Sequence, residues 1–441
     1  MNREERERME RRQRMLAREQ GTPAPTPDAP AAPEPRAAAP KAPPRPNKTA
    51  PAAPPPNVKP LSPLLRRRQR RRRIFWTALV LAAAIAVAVL TGAFSTSLAM
   101  LGDLADSVYL SLDHTGGTYP ASTGIPSPTQ IQSLAGGFVE MDGEDLAVYS
   151  AHGGKIRSIQ HGYARPALAV GNTHFAIYNR AGTELRIESR TRNLYTESFT
   201  QGILLCAMSQ NGTLAVVTES DRYAAELRVY DPSFNQTYIW QMTQTEGTPI
   251  ALDFATDNRR FAAGTVSAKQ GQLASAVYFM DVGTAAEGPV YIADAGNMLL
   301  KLQWLSPKQV LAVFDTYTAL LNAADGTEAA RYDYGGASLQ SVAVGGKNTV
   351  LLLASRSGNS MVALDESLAP LAVVSAGQAV RVDCSETKIY LLDASTVACY
   401  GFDGAKNWTK TLTTAPLAVL STAETLLFTS SGAEILTAPG A

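Results

Sequence analysis

From about Val108 to the C-terminus the chain is written in short apolar runs of four to eight residues, separated by Gly, Asp, Asn and Ser, with no apolar stripe held at helical spacing. Runs of that length predict β-strands, whose successive side chains point to opposite faces. One strand type recurs: Leu146-Ala-Val-Tyr149, Leu185-Arg-Ile-Glu188, Leu227-Arg-Val-Tyr-Asp231, Val277-Tyr-Phe-Met-Asp281, Ala319-Leu-Leu-Asn322, Met361-Val-Ala-Leu-Asp365, Val397-Ala-Cys-Tyr400 and Ala433-Glu-Ile-Leu436. Aligning Val148, Ile187, Val229, Phe279, Leu320, Ala363, Cys399 and Ile435 gives steps of 39, 42, 50, 41, 43, 36 and 36 residues. A period of about 40–50 residues with four antiparallel strands per unit is that of a β-propeller blade. The predicted fold class is therefore all-β, an eight-bladed β-propeller over residues 108–441, with seven blades and a divergent end as the alternative.

Each recurring strand reads as the third of its blade. In the seventh copy, residues 379–384, 388–392, 397–402 and 406–412 are strands one to four. Asp403-Gly404 and Asp325-Gly326 are hairpin turns from third to fourth strands, and Asn211-Gly212 turns a first strand into a second. This register places Cys384 and Cys399 on strands one and three of one sheet, too far apart to bridge, so the three cysteines, Cys206 included, are expected as buried thiols. The eighth copy has only three strands, at 417–420, 426–429 and 433–437. An open edge of that kind templates aggregation. The run Val108-Tyr-Leu-Ser-Leu112 has the alternation to supply the missing strand and close the ring.

A different pattern precedes the repeats. Ile74 to Ala93 is a run of 20 uncharged residues, which at ~1.5 Å per helical residue reaches roughly 30 Å, the thickness of a bilayer's hydrocarbon core. Residues 74–94 are thus expected as a transmembrane helix, and 95–107 as a juxtamembrane segment that continues it outward, with Asp103 and Asp106 its first charges. Ahead of the span lie a basic cluster at 64–73, a tether at 21–63 and a charged helix at 1–20. The tether holds 16 prolines, which remove backbone donors and block both helix and sheet. The charged helix is supported by the i,i+4 pairs Glu4/Arg8, Glu7/Arg11 and Glu10/Arg14.

Charge gives the span a direction. The total of 40 basic and 39 acidic residues conceals a division: residues 1–73 hold 19 basic and 7 acidic side chains, a net +12, and the remainder holds 21 and 32, a net −11. Arg66, Arg67, Arg68, Arg70, Arg71, Arg72 and Arg73 abut the span and are its topology-determining residues. Basic residues stay on the cytoplasmic side during insertion, which predicts a single-pass plasma-membrane protein with its N-terminus in the cytoplasm and its propeller extracytoplasmic. A cleaved signal peptide fits less well, because its charged region would be 73 residues long and no good small-residue cleavage site follows the run.

Candidate chemistry is sparse. Asp142, Glu144 and Asp145 cluster, but in a turn between strands. His114, His152, His161 and His174 lack the spacing of zinc ligands, and neither a nucleophile elbow nor a glycine-rich phosphate loop occurs. No catalytic, cofactor-binding or metal-binding residue is assigned, and no cofactor is expected. Asp403-Gly-Ala-Lys-Asn-Trp408 resembles the tryptophan-docking turn of pyrroloquinoline-quinone-type propellers, in one blade only. A quinoprotein-type oxidoreductase would need carboxylates and an Asn around Ca²⁺ beside the quinone, a set that cannot be assembled from these residues.

His161-Gly-Tyr-Ala-Arg-Pro166 and Ser209-Gln-Asn-Gly-Thr-Leu-Ala-Val-Val217, together with the basic tail, single span and degenerate repeats, resemble a family of uncharacterised membrane-anchored propeller proteins of Gram-positive, clostridia-like bacteria. The resemblance covers residues 74–441 and implies fold and topology, with no active-site residues. The function expected is non-enzymatic: a membrane-tethered binding or scaffolding module whose partners are the lipid bilayer and an extracytoplasmic protein, peptide or cell-wall component, with no nucleic acid. A transmembrane sensor of an extracellular ligand is the alternative.

Overall fold

The computed structural model describes residues 117–284 and 288–440, together with Gly102, Asp106 and Leu110. The expected charged helix, tether, basic cluster and transmembrane helix lie outside the described residues. Among the described residues, no helix is long and apolar enough to cross a membrane.

The described chain forms seven four-stranded sheets and one three-stranded sheet, every sheet built from strands consecutive in sequence and paired antiparallel. The ring is eight-bladed, and the seven-bladed alternative is set aside. The first strands are Gln130–Leu134, Pro166–Val170, Ile203–Met208, Thr248–Phe254, Leu299–Ser306, Ser338–Gly345, Arg381–Cys384 and Pro416–Ser421. The first strand of blade 8 packs on that of blade 1, which makes the ring continuous. Hydrophobic cores lie between adjacent blades: Val139, Met141 and Val148 of blade 1, for example, pack against Phe175 and Ile177 of blade 2. Second strands are therefore buried on both faces, as Leu214–Thr218 is along its whole length, and read as continuous apolar runs.

All eight aligned residues fall on third strands, Val148 on Asp145–Ser150 and Ile435 on Gly432–Ile435 at the two ends of the series. What the repeat encodes is a bend. In six blades the register slips immediately after the aligned residue, at Val148, Ile187, Val229, Leu320, Ala363 and Cys399, where the fourth strand bulges. A bulge there increases the local twist that lets an outer strand splay from the axis. The aspartate that ends the repeat caps the following turn: Asp231 Oδ1 accepts from Ser233 and Asn235 N at 2.9 Å each, and Asp365 Oδ1 from Ser367 N at 2.8 Å and Ala369 N at 2.9 Å. Gly404 and Gly326, at φ +81° and +71°, supply the left-handed step of their turns.

The expected closing strand is corrected. Leu110 is helical, and the ring closes instead at Ala121, whose N–H donates to the Ala433 carbonyl at 2.8 Å and whose carbonyl accepts from Ala433 N at 2.9 Å. In the sequence Leu101, Leu104 and Val108 stand at helical spacing, a period that competes with the short alternation of residues 108–112. Gly102 and Asp106, in the expected juxtamembrane segment, are helical as well. The three cysteines are free, and Cys384 and Cys399 pair with Ile389 and Tyr390 on the strand between them.

Candidate functional site

The first strands surround a funnel. A cavity of about 570 Å³ opens among those of blades 1, 2, 3, 4 and 5 and their following turns. Its walls include Asn172 and Gln210 in turns, Asp253 on blade 4, and Lys301, Gln303 and Trp304 on blade 5. Around the ring, side chains on first strands reach from one blade to the backbone of the next. Gln130 Oε1 accepts from Leu168 N at 3.1 Å, Asp253 Oδ2 from Trp304 N at 2.7 Å, Ser341 Oγ from Val382 N at 3.2 Å, and Asp383 Oδ2 from Val419 N at 2.8 Å. The turns at the mouth are linked too: Ala135 N donates to the Asn172 carbonyl at 2.8 Å, and Asn172 N to the Gln210 carbonyl at 3.2 Å.

Two ionisable groups on the wall are perturbed by burial. Burial lifts the Asp253 carboxyl to about 6, against the pull of the Trp304 and Phe254 amides and of Lys301. Burial also holds the Lys301 ammonium below its ordinary value, against the attraction of Asp253, Cys384 and Asp383. Asp253 is engaged by Trp304, whereas no hydrogen bond or ion pair holds Lys301 among the described residues.

Turns joining strands one to two and strands three to four emerge on the same face of an antiparallel blade, so the funnel mouth shares its face with the turn Arg190–Arg192 of blade 2. That turn meets the helix: Ser189 Oγ donates to Asp106 Oδ2 at 3.0 Å, and Arg192 Nε lies 4.0 Å from the same oxygen. One residue on, Arg190 Nη1 donates to the Ala135 carbonyl at the funnel at 2.7 Å. A second cavity, of about 740 Å³, lies at the rim between the outer strand of blade 3 and blade 4, lined by Tyr238, Trp240 and Tyr278. Its indole N–H is already taken by Glu246 Oε1 at 3.1 Å.

The residues singled out in the sequence fall elsewhere. The topology-determining arginines at 66–73 and His114 lie outside the described residues. Asp142 caps its own turn, accepting from Glu144 and Asp145 N at 2.8 Å each. Among the described residues no group of three His, Cys, Asp or Glu side chains is arranged to hold a metal ion. His161 is buried with Nδ1 accepting from Tyr163 N at 3.2 Å, and burial lowers its pKa. His152 is exposed, and His174 is buried. Trp408 pairs with Cys399 on an outer strand, far from any first strand in the sheet order. Sequence reading missed Asp253 and Lys301. Their signal was a charge set inside an apolar strand, Ala251-Leu-Asp-Phe254 and Leu299-Leu-Lys-Leu302.

A family model described as a family of unknown function, DUF5711, matches residues 118–435. No curated protein matches the chain in sequence. In fold the chain is similar to BamB from Moraxella catarrhalis, with a TM-score of 0.50 and 14% identity over 69% of this chain and 94% of that one. It is similar also to the C-terminal WD40 domain of Sif2, with a TM-score of 0.52 and 10% identity over 71% and 98% of the two chains. At such identities the likeness shows a shared propeller fold.

Proposed function

The chain belongs to the DUF5711 family, and for this member we propose a single-pass membrane protein that presents a non-catalytic binding propeller outside the cytoplasm. Residues 74–94 cross the bilayer, and the arginines at 66–73 hold the N-terminus in the cytoplasm. The propeller then serves as a binding or scaffolding module for an extracytoplasmic protein, peptide or cell-wall component. The observation that carries this reading is the funnel, a polar cavity of about 570 Å³ whose one lining carboxylate, Asp253, is occupied in holding the next blade. That arrangement suits a ligand held in place better than a proton moved. Protease added to intact cells should remove the propeller and spare the basic tail. Loss of the tail with a protected propeller would overturn the orientation.

A second reading, a transmembrane sensor, is favoured by one feature. Asp106 on the helix and Ala135 at the funnel are joined through consecutive residues, Ser189 and Arg190. An event in the funnel then has a short covalent and hydrogen-bonded route to the segment that follows the span. If this route transmits, Asp106→Ala abolishes a cellular response while leaving the propeller folded and its partner bound. Loss of partner recovery in that variant would count against it.

A further inference from the structure

Lys301 is a cation on the cavity wall that makes no hydrogen bond or ion pair among the described residues, although Asp253 and Asp383 act on it electrostatically. It stands on the apolar strand Leu299–Ser306 and lines the funnel, and no other basic residue lines that cavity. The two carboxylates that act on it electrostatically are both engaged elsewhere. Asp253 Oδ2 accepts from Trp304 N at 2.7 Å. Asp383 accepts from Val419 N at 2.8 Å and from Arg381 Nε at 2.9 Å. The remaining polar wall is neutral, from Ser133, Asn172, Ser209, Gln210, Thr256 and Gln303. An ammonium that makes no hydrogen bond or ion pair leaves its three donors open to a ligand acceptor, and a carboxylate satisfies them best.

We propose that the funnel is a carboxylate-binding site in which the Lys301 ammonium anchors one carboxylate and the amide and hydroxyl side chains around it hydrogen-bond the rest of the ligand. The inference rests on reading the funnel as the binding face. A single carboxylate fits better than a phosphate for three reasons. Lysine offers one compact point charge rather than the planar fork of arginine. A second cation is lacking among the residues that line the cavity. Asp253, on the same wall, would repel a dianion. A volume of about 570 Å³ suits a short peptide or a small organic acid, and side-chain amides match the donors and acceptors of a peptide bond.

The test uses the full chain purified in detergent and titrated by calorimetry with four probes: acetyl-trialanine with a free C-terminus, its C-terminal amide, an acetylated and amidated Ala-Glu-Ala peptide, and acetate. The free-acid peptide should bind about tenfold or more tightly than its amide, since each tenfold is one lost charged contact of modest strength. Binding of the glutamyl peptide or of acetate would identify a side-chain carboxylate or a small acid as the source. Lys301→Met should lose the preference for acid over amide while its unfolding midpoint stays at or above that of the unsubstituted protein, and Lys301→Arg should retain part of it. Equal binding of acid and amide overturns the carboxylate site while leaving the funnel as a binding face. Failure of every probe, with no change in the amide resonances of Asn172 and Gln210, overturns both.

Discussion

Among the described residues, Glu140 and Lys301 are ionisable side chains inside this ring for which no hydrogen bond or ion pair is formed, and their surroundings differ. Glu140, on the second strand of blade 1, is 0% exposed, and neither of its carboxylate oxygens is in hydrogen-bond geometry with a partner. It lies at the seam where blade 8 meets blade 1. There Phe138 stacks on Tyr149 at 4.9 Å and meets Phe428 edge-on at 4.9 Å, while the Tyr149 hydroxyl donates to the Thr123 carbonyl of the closing strap. Lys301, by contrast, faces an open cavity of about 570 Å³. Glu140 is closed off from solvent among packed side chains, whereas Lys301 borders a cavity. A buried charge at a packed seam becomes a dependence of stability on protons, and one at a cavity becomes a capacity to bind.

Burial lifts the Glu140 carboxyl to about 7, with Asp142 adding to the shift and Thr123 and Lys155 offsetting it in part. An acid whose folded pKa exceeds its unfolded value near 4.5 costs nothing below that value, and the cost grows as pH rises through about 7. The seam is therefore tightest when Glu140 is protonated.

The contrast can be broken or sharpened by substitution, taken from the largest expected effect. Phe138→Ala empties the aromatic contact that clamps the seam and should destabilise the propeller by about 3–5 kcal/mol, read as a shift of the urea unfolding curve. Glu140→Gln should stabilise by at most about 3 kcal/mol at pH 8 and hardly at all at pH 4, so that unfolding curves of the two proteins converge as pH falls. A constant difference across that range would remove Glu140 as the proton-linked group. Asp253→Ala strips the acceptor from Trp304 N and should cost about 1–3 kcal/mol, whereas Lys301→Met should cost none, separating a wall-building carboxylate from a ligand-facing amine. Lys347→Ala breaks the surface pair with Glu366, at 2.8 Å, and should leave the midpoint unmoved, because solvent screens the pair.

The blade repeat was legible because the third strand recurs with two devices, an apolar residue at the bulge in six blades and, in several, a turn-capping aspartate such as Asp231 or Asp365. Closure was misplaced for a local reason. The helical spacing of Leu101, Leu104 and Val108 and the alternation of 108–112 overlap, while Ala121 pairs through its backbone and leaves no side-chain pattern to read. The funnel was invisible for the opposite reason: Asp253, Lys301 and Gln210 come from three blades, and only the ring brings them to one cavity. A charge within an apolar strand, common to Glu140, Asp253 and Lys301, marks such positions without telling seam from funnel. That distinction is made by packing alone.

The most direct measurement places a photo-crosslinking residue at Gln210, on the funnel mouth, or at Thr196, on the outer strand of blade 2, in the full-length protein of intact cells. A crosslinked species from Gln210 that external protease can reach, with none from Thr196, is the expected result. Equal crosslinking from both positions, or a species from Gln210 that external protease cannot reach, would contradict an extracytoplasmic propeller that binds through its funnel.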